Sequence, residues 1–298
     1  VHPFCYPLIA VVLWAGNTLV GKVSAEVISP AAISFYRWAL AALILTPFIL
    51  PQVWRLRRVV TANLLKLSVL AGLGIVAFQS LAYVAAASTS ATNMGLIGAT
   101  VPLITMVFST LILRDAPTLG GLFGALISFT GLAILLSGGD LAGLSSQGVN
   151  RGDLLLLAGA SAYALYGVLI RRWVIPLNLW QSLYVQILFG LVWLSPAALL
   201  SPSMAVSNEA LPLVLFAGIA ASIVAPYCWM KGIDILGANN TTIFMNLVPL
   251  MTTASAVVLL GEQLSWAHGV GGSLILSGVL LAQLWRRALP SLRPQPAD

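Results

Sequence analysis

The chain has 298 residues, of which 59% are hydrophobic and 7% charged, and its mean hydropathy is +0.99. A soluble domain carries about a quarter charged residues, so the surface of this chain requires lipid as its solvent. The net charge of +6 does not indicate nucleic acid, because the basic residues are scattered between apolar runs, and two cysteines and two histidines are too few for a disulfide framework or a metal cluster.

A bilayer core about 30 Å thick takes roughly 20 apolar residues per helix. By that measure the sequence predicts an all-α polytopic membrane protein with ten transmembrane helices, here called segments one to ten. In chain order they are Phe4–Val23, Ser29–Leu50, Leu64–Ala86, Thr89–Leu113, Pro117–Ser137, Gly152–Arg172, Asn178–Leu200, Glu209–Met230, Ala238–Leu260 and Trp266–Trp285. Pro51, Pro117, Ser137-Gly138-Gly139, Pro176 and Pro202 mark breaks in the short connections. Val23-Ser24-Ala25 resembles a signal cleavage site, but no basic residue precedes segment one and its apolar run exceeds a typical signal core, so it reads as a mature helix. Residues 288–298 are expected to form a disordered cytoplasmic tail.

Alternating the loops puts Arg55, Arg57, Arg58, Lys66, Arg114, Arg171, Arg172, Lys231, Arg286, Arg287 and Arg293 on one side. Only Lys22 and Arg151 fall on the other. The positive-inside rule then predicts that both termini are cytoplasmic.

The sequence also repeats. Ala91, Asn93, Val101, Pro102, Gly124 and Gly131 recur 147 positions later as Ala238, Asn240, Val248, Pro249, Gly271 and Gly278. Nearer the start of each half, 149 positions separate Pro47 from Pro196 and Arg37 from Gln186. These matches predict five-helix repeats over 1–147 and 148–287, joined in one transmembrane domain. Five is odd, so the second repeat enters the membrane from the opposite side, as in secondary transporters that alternate access around a midplane site. A channel can use the same symmetry.

The stretch Ala238–Ala282, with A-N-N-T-T-I-F-M-N-L-V-P-L-M, L-L-G-E-Q-L-S-W and G-G-S-L-I-L-S-G-V-L-L-A, resembles the second half of an EamA-type member of the drug/metabolite transporter superfamily. The first half is similar in A-T-N-M-G-L-I-G-A-T-V-P-L-I, R-D-A-P-T and G-A-L-I-S-F-T-G-L-A, and W-A-G-N-T-L-V-G-K resembles the family's opening Trp-Gly-x-Asn element. The aromatic residues along the segments are most similar to bacterial YddG-type exporters of aromatic and other amino acids. Two departures are Arg114-Asp115 in place of the family's Gly-Glu, and Tyr163 where a Trp is common. The resemblance implies a bacterial inner-membrane location and a central cavity lined by segments one to four and six to nine, with five and ten peripheral.

Polar side chains are costly in lipid and face the protein interior. The candidates are Asn17, Arg37, Gln79, Asn93, Gln186, Asn240 and Asn246. For each amide, hydrogen bonding between helices and contact with a transported solute are both open. Arg37 is the one basic residue well inside a segment. Its guanidinium can grip a carboxylate, bond helix-terminal carbonyls, or reach the interface. Trp54, Trp173, Trp180, Trp229, Trp266 and Trp285 lie near segment ends and read as an interfacial belt. Trp14, Trp38, Tyr83, Tyr163, Tyr166 and Trp193 lie deeper, and of these Trp38, Tyr83, Tyr163 and Tyr166 join the candidate cavity residues. Pro102 and Pro249 occupy equivalent places in segments four and nine, where each removes a backbone hydrogen bond and is a candidate hinge. Gly72-Leu73-Gly74-Ile75-Val76-Ala77 fits a dinucleotide-binding pattern by chance, since it lies in mid-membrane with no preceding strand.

Every Asp, Glu and His falls in a loop or at a segment end in this reading, which disfavours a proton relay and an intramembrane enzyme. The expectation is a facilitative carrier of aromatic and other neutral amino acids or related small metabolites. It is expected to need no cofactor or metal, bind no nucleic acid, and work as a monomer in the bilayer. Another metabolite or drug of the same superfamily is the alternative cargo.

Overall fold

A computed structural model describes residues 2–24, 27–86, 88, 97–140, 142, 150–260 and 265–285. All regular elements among them are helices. Seven are long and apolar enough to cross a membrane: Pro30–Arg55, Leu64–Ala82, Leu119–Ser137, Arg151–Arg172, Leu179–Leu199, Ala210–Leu236 and Trp266–Leu284. Cys5–Gly21 and Val101–Leu113 are shorter apolar helices. Segment nine is pieced together from Ala238–Thr242, a 3-10 turn at Ile243–Asn246, and Leu247–Leu260.

Local chemistry explains several helix starts. The Ser29 hydroxyl accepts from the Ala32 amide at 3.2 Å with Pro30 opening the helix, and Asn150 with Asp153 and Asn178 with Gln181 form reciprocal capping boxes. Each box satisfies amides that the first turn leaves without partners. Large apolar side chains such as Leu43, Phe48, Leu65, Leu111 and Val192 are exposed on the outside. So much exposed apolar surface suits lipid rather than water, and the protein is a multi-pass membrane protein.

Pro102 and Pro249 do not interrupt continuous α-helices. Pro102 stands in the first turn of Val101–Phe108, after turn residues Ala99 and Thr100, and Pro249 in the first turn of Leu247–Leu260, after the 3-10 turn. There a missing N–H removes no intrahelical bond. The expected kinks are therefore changes of helix type just before each proline.

Segments five and ten pack along each other, outside the rest. A Cβ added at Gly131 would lie 2.6 Å from the Gly271 carbonyl oxygen, and one at Gly271 would lie 2.6 Å from the Gly131 oxygen. Gly124 and Gly278 make the same reciprocal contact, and the Ser128 hydroxyl donates to the Ile275 carbonyl at 3.1 Å between them. Residue 124 meets 278 and residue 131 meets 271, so the two helices run antiparallel. Segments two and seven are antiparallel as well, with Ser29 beside Ser201 at one end, Gln52 beside Gln181 at the other, and Thr46 hydrogen-bonded to Tyr184 between. The most extensive of the other contacts come in matched pairs: three with six and eight with one, four with six and nine with one, seven with three and two with eight.

Because backbone faces backbone at Gly131, any side chain there must part the two helices. Gly131→Val is expected to lower stability by about 1–3 kcal/mol, read as the thermal unfolding midpoint in detergent. Gly269→Ala in segment ten, where an added Cβ meets nothing within 4 Å, is expected to leave the midpoint unchanged or raise it.

Candidate functional site

The inner segments enclose a cavity of about 660 Å3. Segments one, two, three, six, seven, eight and nine each supply lining residues, whereas five and ten, and against expectation four, supply none among the described residues. Thr18 and Gly21, near the C-terminal end of segment one, are exposed, while Tyr163, Tyr166 and Trp229 are buried. The cavity therefore opens toward that end of segment one and has its floor at those three rings. Beyond the floor the helices close. Trp180 stacks on Tyr227 with centroids 4.0 Å apart, and Arg171 donates to the Ile233 and Asp234 carbonyls at 3.3 and 3.2 Å.

The floor is an aromatic cluster centred on Tyr163. Its ring lies 5.6 Å from Phe78, 5.8 Å from Tyr166, 6.2 Å from Trp229 and 6.3 Å from Trp14, the last edge-on. Trp14 and Trp229 also touch, at 5.2 Å. Such tilted and edge-on pairs suit the ring quadrupole. A mostly apolar wall with few polar anchors is the usual form of a small-molecule site.

Arg37 lines the cavity from segment two but is held by segment eight. Its Nε donates to the Ser222 hydroxyl at 2.7 Å and a terminal nitrogen to the Ala221 carbonyl at 3.2 Å. Its guanidinium also lies 5.2 Å from the centre of the Trp38 ring, within cation–π range. The acceptors are available because residues Ala220–Val224 form a π turn, which removes regular i to i−4 bonding. Ser222 spans the gap by donating to the Ala217 carbonyl at 2.8 Å, and the Trp14 indole N–H also reaches Ala221 O at 3.3 Å. Segment three carries its own π turn at Gly72–Ala77, and π turns are frequent at functional sites.

Of the residues singled out from sequence, Asn17, Arg37, Trp38, Tyr163, Tyr166 and Gln186 line this cavity. Gln186 is fully buried; its Nε2 donates to Ser182 at 3.0 Å, and its Oε1 has no hydrogen-bond partner among the described residues. Asn246 is 1% exposed, with neither amide atom partnered among the described residues, and sits beside the lining residues Met245 and Val248. Asn240 serves packing: its amide donates to Leu236 O, and its own carbonyl accepts from Gln283. Asn93 and the side chains of Gln79 and Tyr83 lie outside the described residues.

One tryptophan assignment is corrected. Trp229 is 1% exposed at the cavity floor rather than interfacial, because the helix of segment eight continues to Leu236 and so places it deeper. Trp193, deep in segment seven and not among the candidate cavity residues, is 55% exposed with its N–H on Ser68 and faces outward. Phe78 was not evident beforehand, since a phenylalanine on an apolar helix carries no signal of which face it takes. Gly74 carries no signal in sequence beyond its chance motif, yet it lines the cavity.

Two copies of the model of the EamA-like transporter family match the chain, over residues 4–137 and 150–284. The chain is similar to the uncharacterized transporter YyaM of Bacillus subtilis, at 27% identity over 279 residues, covering 91% of this chain and 90% of the relative. It is similar to an uncharacterized transporter of Archaeoglobus fulgidus at 24% identity, covering 92% and 94% respectively. A crystal structure of a protein superposes with a TM-score of 0.77 at 20% identity, covering 95% of this chain and 96% of that one, which shows the shared fold.

Two substitutions at the wall separate anchoring from strain. Ser222→Ala is expected to lower stability by about 1–3 kcal/mol, because the buried Arg37 Nε loses its acceptor. Gln186→Leu removes a buried acceptor without a partner and is expected to change stability by no more than about 1 kcal/mol, in the stabilising direction. Thermal unfolding in detergent checks both signs.

Proposed function

The chain belongs to the EamA-like transporter family, and from that premise we propose that this membrane transporter moves aromatic and other neutral amino acids and related small metabolites by alternating access. The observation that carries the reading is the cavity itself: an aromatic floor around Tyr163, with the Arg37 guanidinium in the wall above it. Aromatic faces accept an aromatic or aliphatic side chain, and a guanidinium suits a carboxylate. One molecule bearing both is an amino acid. Alternating access is supported by the separate match of each half to the family model, by the antiparallel pairing of equivalent helices, and by the matched helix contacts. These features fit ten transmembrane helices arranged as two inverted repeats.

With the excess of basic loops on the cytoplasmic side of a bacterial inner membrane, both termini are cytoplasmic and the form described opens outward. Export then proceeds from a second form open at the face that Arg171, Trp180 and Tyr227 now close. The turns beside Pro102 and Pro249 are the proposed hinges. None of the cavity-lining residues among those described is Asp, Glu or His, which favours facilitated movement down the solute's own gradient over proton exchange. One chain encloses the whole pathway, so a monomer suffices.

Uptake of labelled amino acids into proteoliposomes, with and without an imposed pH gradient, tests this reading. Equilibration without the gradient, competed by aromatic amino acids, is expected. Uptake only with the gradient overturns the facilitative mechanism, and no uptake in either condition moves the cargo to another metabolite class. Pro249→Ala is expected to slow uptake several-fold at equal protein level, and unchanged turnover removes the hinge.

A further inference from the structure

We infer that Gly74 sets the width of the cavity through Tyr166 and thereby limits the size of the solute that the cavity admits. This deepens the preceding reading, since it takes the cavity as the solute site. Gly74 lies in the π turn of segment three and lines the cavity, as does Tyr166 of segment six. A Cβ built on Gly74 would fall 2.6, 2.7 and 2.8 Å from three atoms of the Tyr166 ring. The ring therefore lies flat on the backbone of segment three, in space that any side chain would occupy.

Tyr166 has little freedom to retreat. Tyr163 packs beside it at 5.8 Å and is itself held by Trp14, Phe78 and Trp229. A methyl group at position 74 must displace the ring, and the open space that the ring is shown to border is the cavity it lines. Glycine in a helix costs about 1 kcal/mol relative to alanine, so this site gains width at the expense of local helix stability. The effect is specific to Gly74, because a Cβ at Gly72, two residues earlier, meets nothing within 4 Å. The corresponding positions of the other half carry Ala221 and Asn17, both at the cavity wall. A methyl there accompanies a short side chain where the first pair combines no side chain with a long ring.

The test compares wild type, Gly74→Ala and Gly74→Ala with Tyr166→Leu in proteoliposome uptake of alanine, threonine, phenylalanine and tryptophan. In Gly74→Ala the ratio of tryptophan to alanine uptake is expected to fall about 10-fold, the scale on which a pocket discriminates by small volume changes. The double variant is expected to bring that ratio back to within about 3-fold of wild type. Equal loss across all four solutes, no change in the ratio, or a double variant that fails to restore it overturns the inference.

If wild type transports none of the four, the amino-acid reading fails while the inference is still decided by a second measurement. Ile75→Cys, adjacent to Gly74 in the cavity lining and in a background with Cys5 and Cys228 replaced by serine, is modified by methyl and benzyl thiosulfonates. Gly74→Ala is expected to slow the benzyl reagent about 10-fold more than the methyl one. Equal slowing, or none, overturns the inference.

Discussion

The carbonyl oxygen of Ala221 accepts from both the Trp14 indole and the Arg37 guanidinium, and the cavity wall is organised around that junction. In lipid no water is present to satisfy a backbone group that a helix releases, so every irregular turn must be answered by a neighbouring side chain. The π turn of segment eight releases such a group, and segments one and two answer it. Three helices are thereby fixed at one depth, and the charge of Arg37 gains polar partners without leaving the membrane interior. Ser222 completes the arrangement by linking Arg37 to the Ala217 carbonyl.

The scaffold is symmetric where helices meet and asymmetric where a solute would sit. Gly124 meets Gly278 and Gly131 meets Gly271 across segments five and ten, so each glycine faces the repeat equivalent of the other pair's member, and the most extensive contacts between the other segments come in matched pairs. Close packing of this kind leaves little choice of residue, because Gly131 and Gly271 each face a carbonyl that excludes a side chain. At the cavity the 149-position correspondence of the earlier part of each half joins unlike residues: Trp14 with Tyr163, Asn17 with Tyr166, and Arg37 with Gln186. A two-fold scaffold can change its open end by exchanging the roles of its halves. A small solute has no such symmetry, so recognition requires that the two halves differ.

The buried amides express the same division. Asn240 joins helix ends through two hydrogen bonds, whereas Gln186 and Asn246 keep atoms with no partner among the described residues. An unpartnered polar atom in the interior costs stability, so the second group is placed where packing alone would favour an apolar residue. Their position at or beside the cavity is consistent with a wall that exchanges partners during transport.

Composition, apolar run length and the internal repeat determined a great deal of this protein from sequence alone: an all-helical membrane chain, its family, and a short set of interior polar and aromatic residues that includes Arg37, Tyr163, Tyr166 and Gln186. These were legible because a charge or amide in an apolar run is conspicuous whatever its surroundings. Tertiary structure alone decided that Trp229 lies at the cavity floor, that Phe78 joins Tyr163, that Ser222 holds Arg37, and that Gly74 is the seat of the Tyr166 ring. The physical reason is that periodicity identifies a helix but not which neighbour each face meets. The effect of a missing side chain at Gly74 exists only in the contact made by a ring ninety-two positions away.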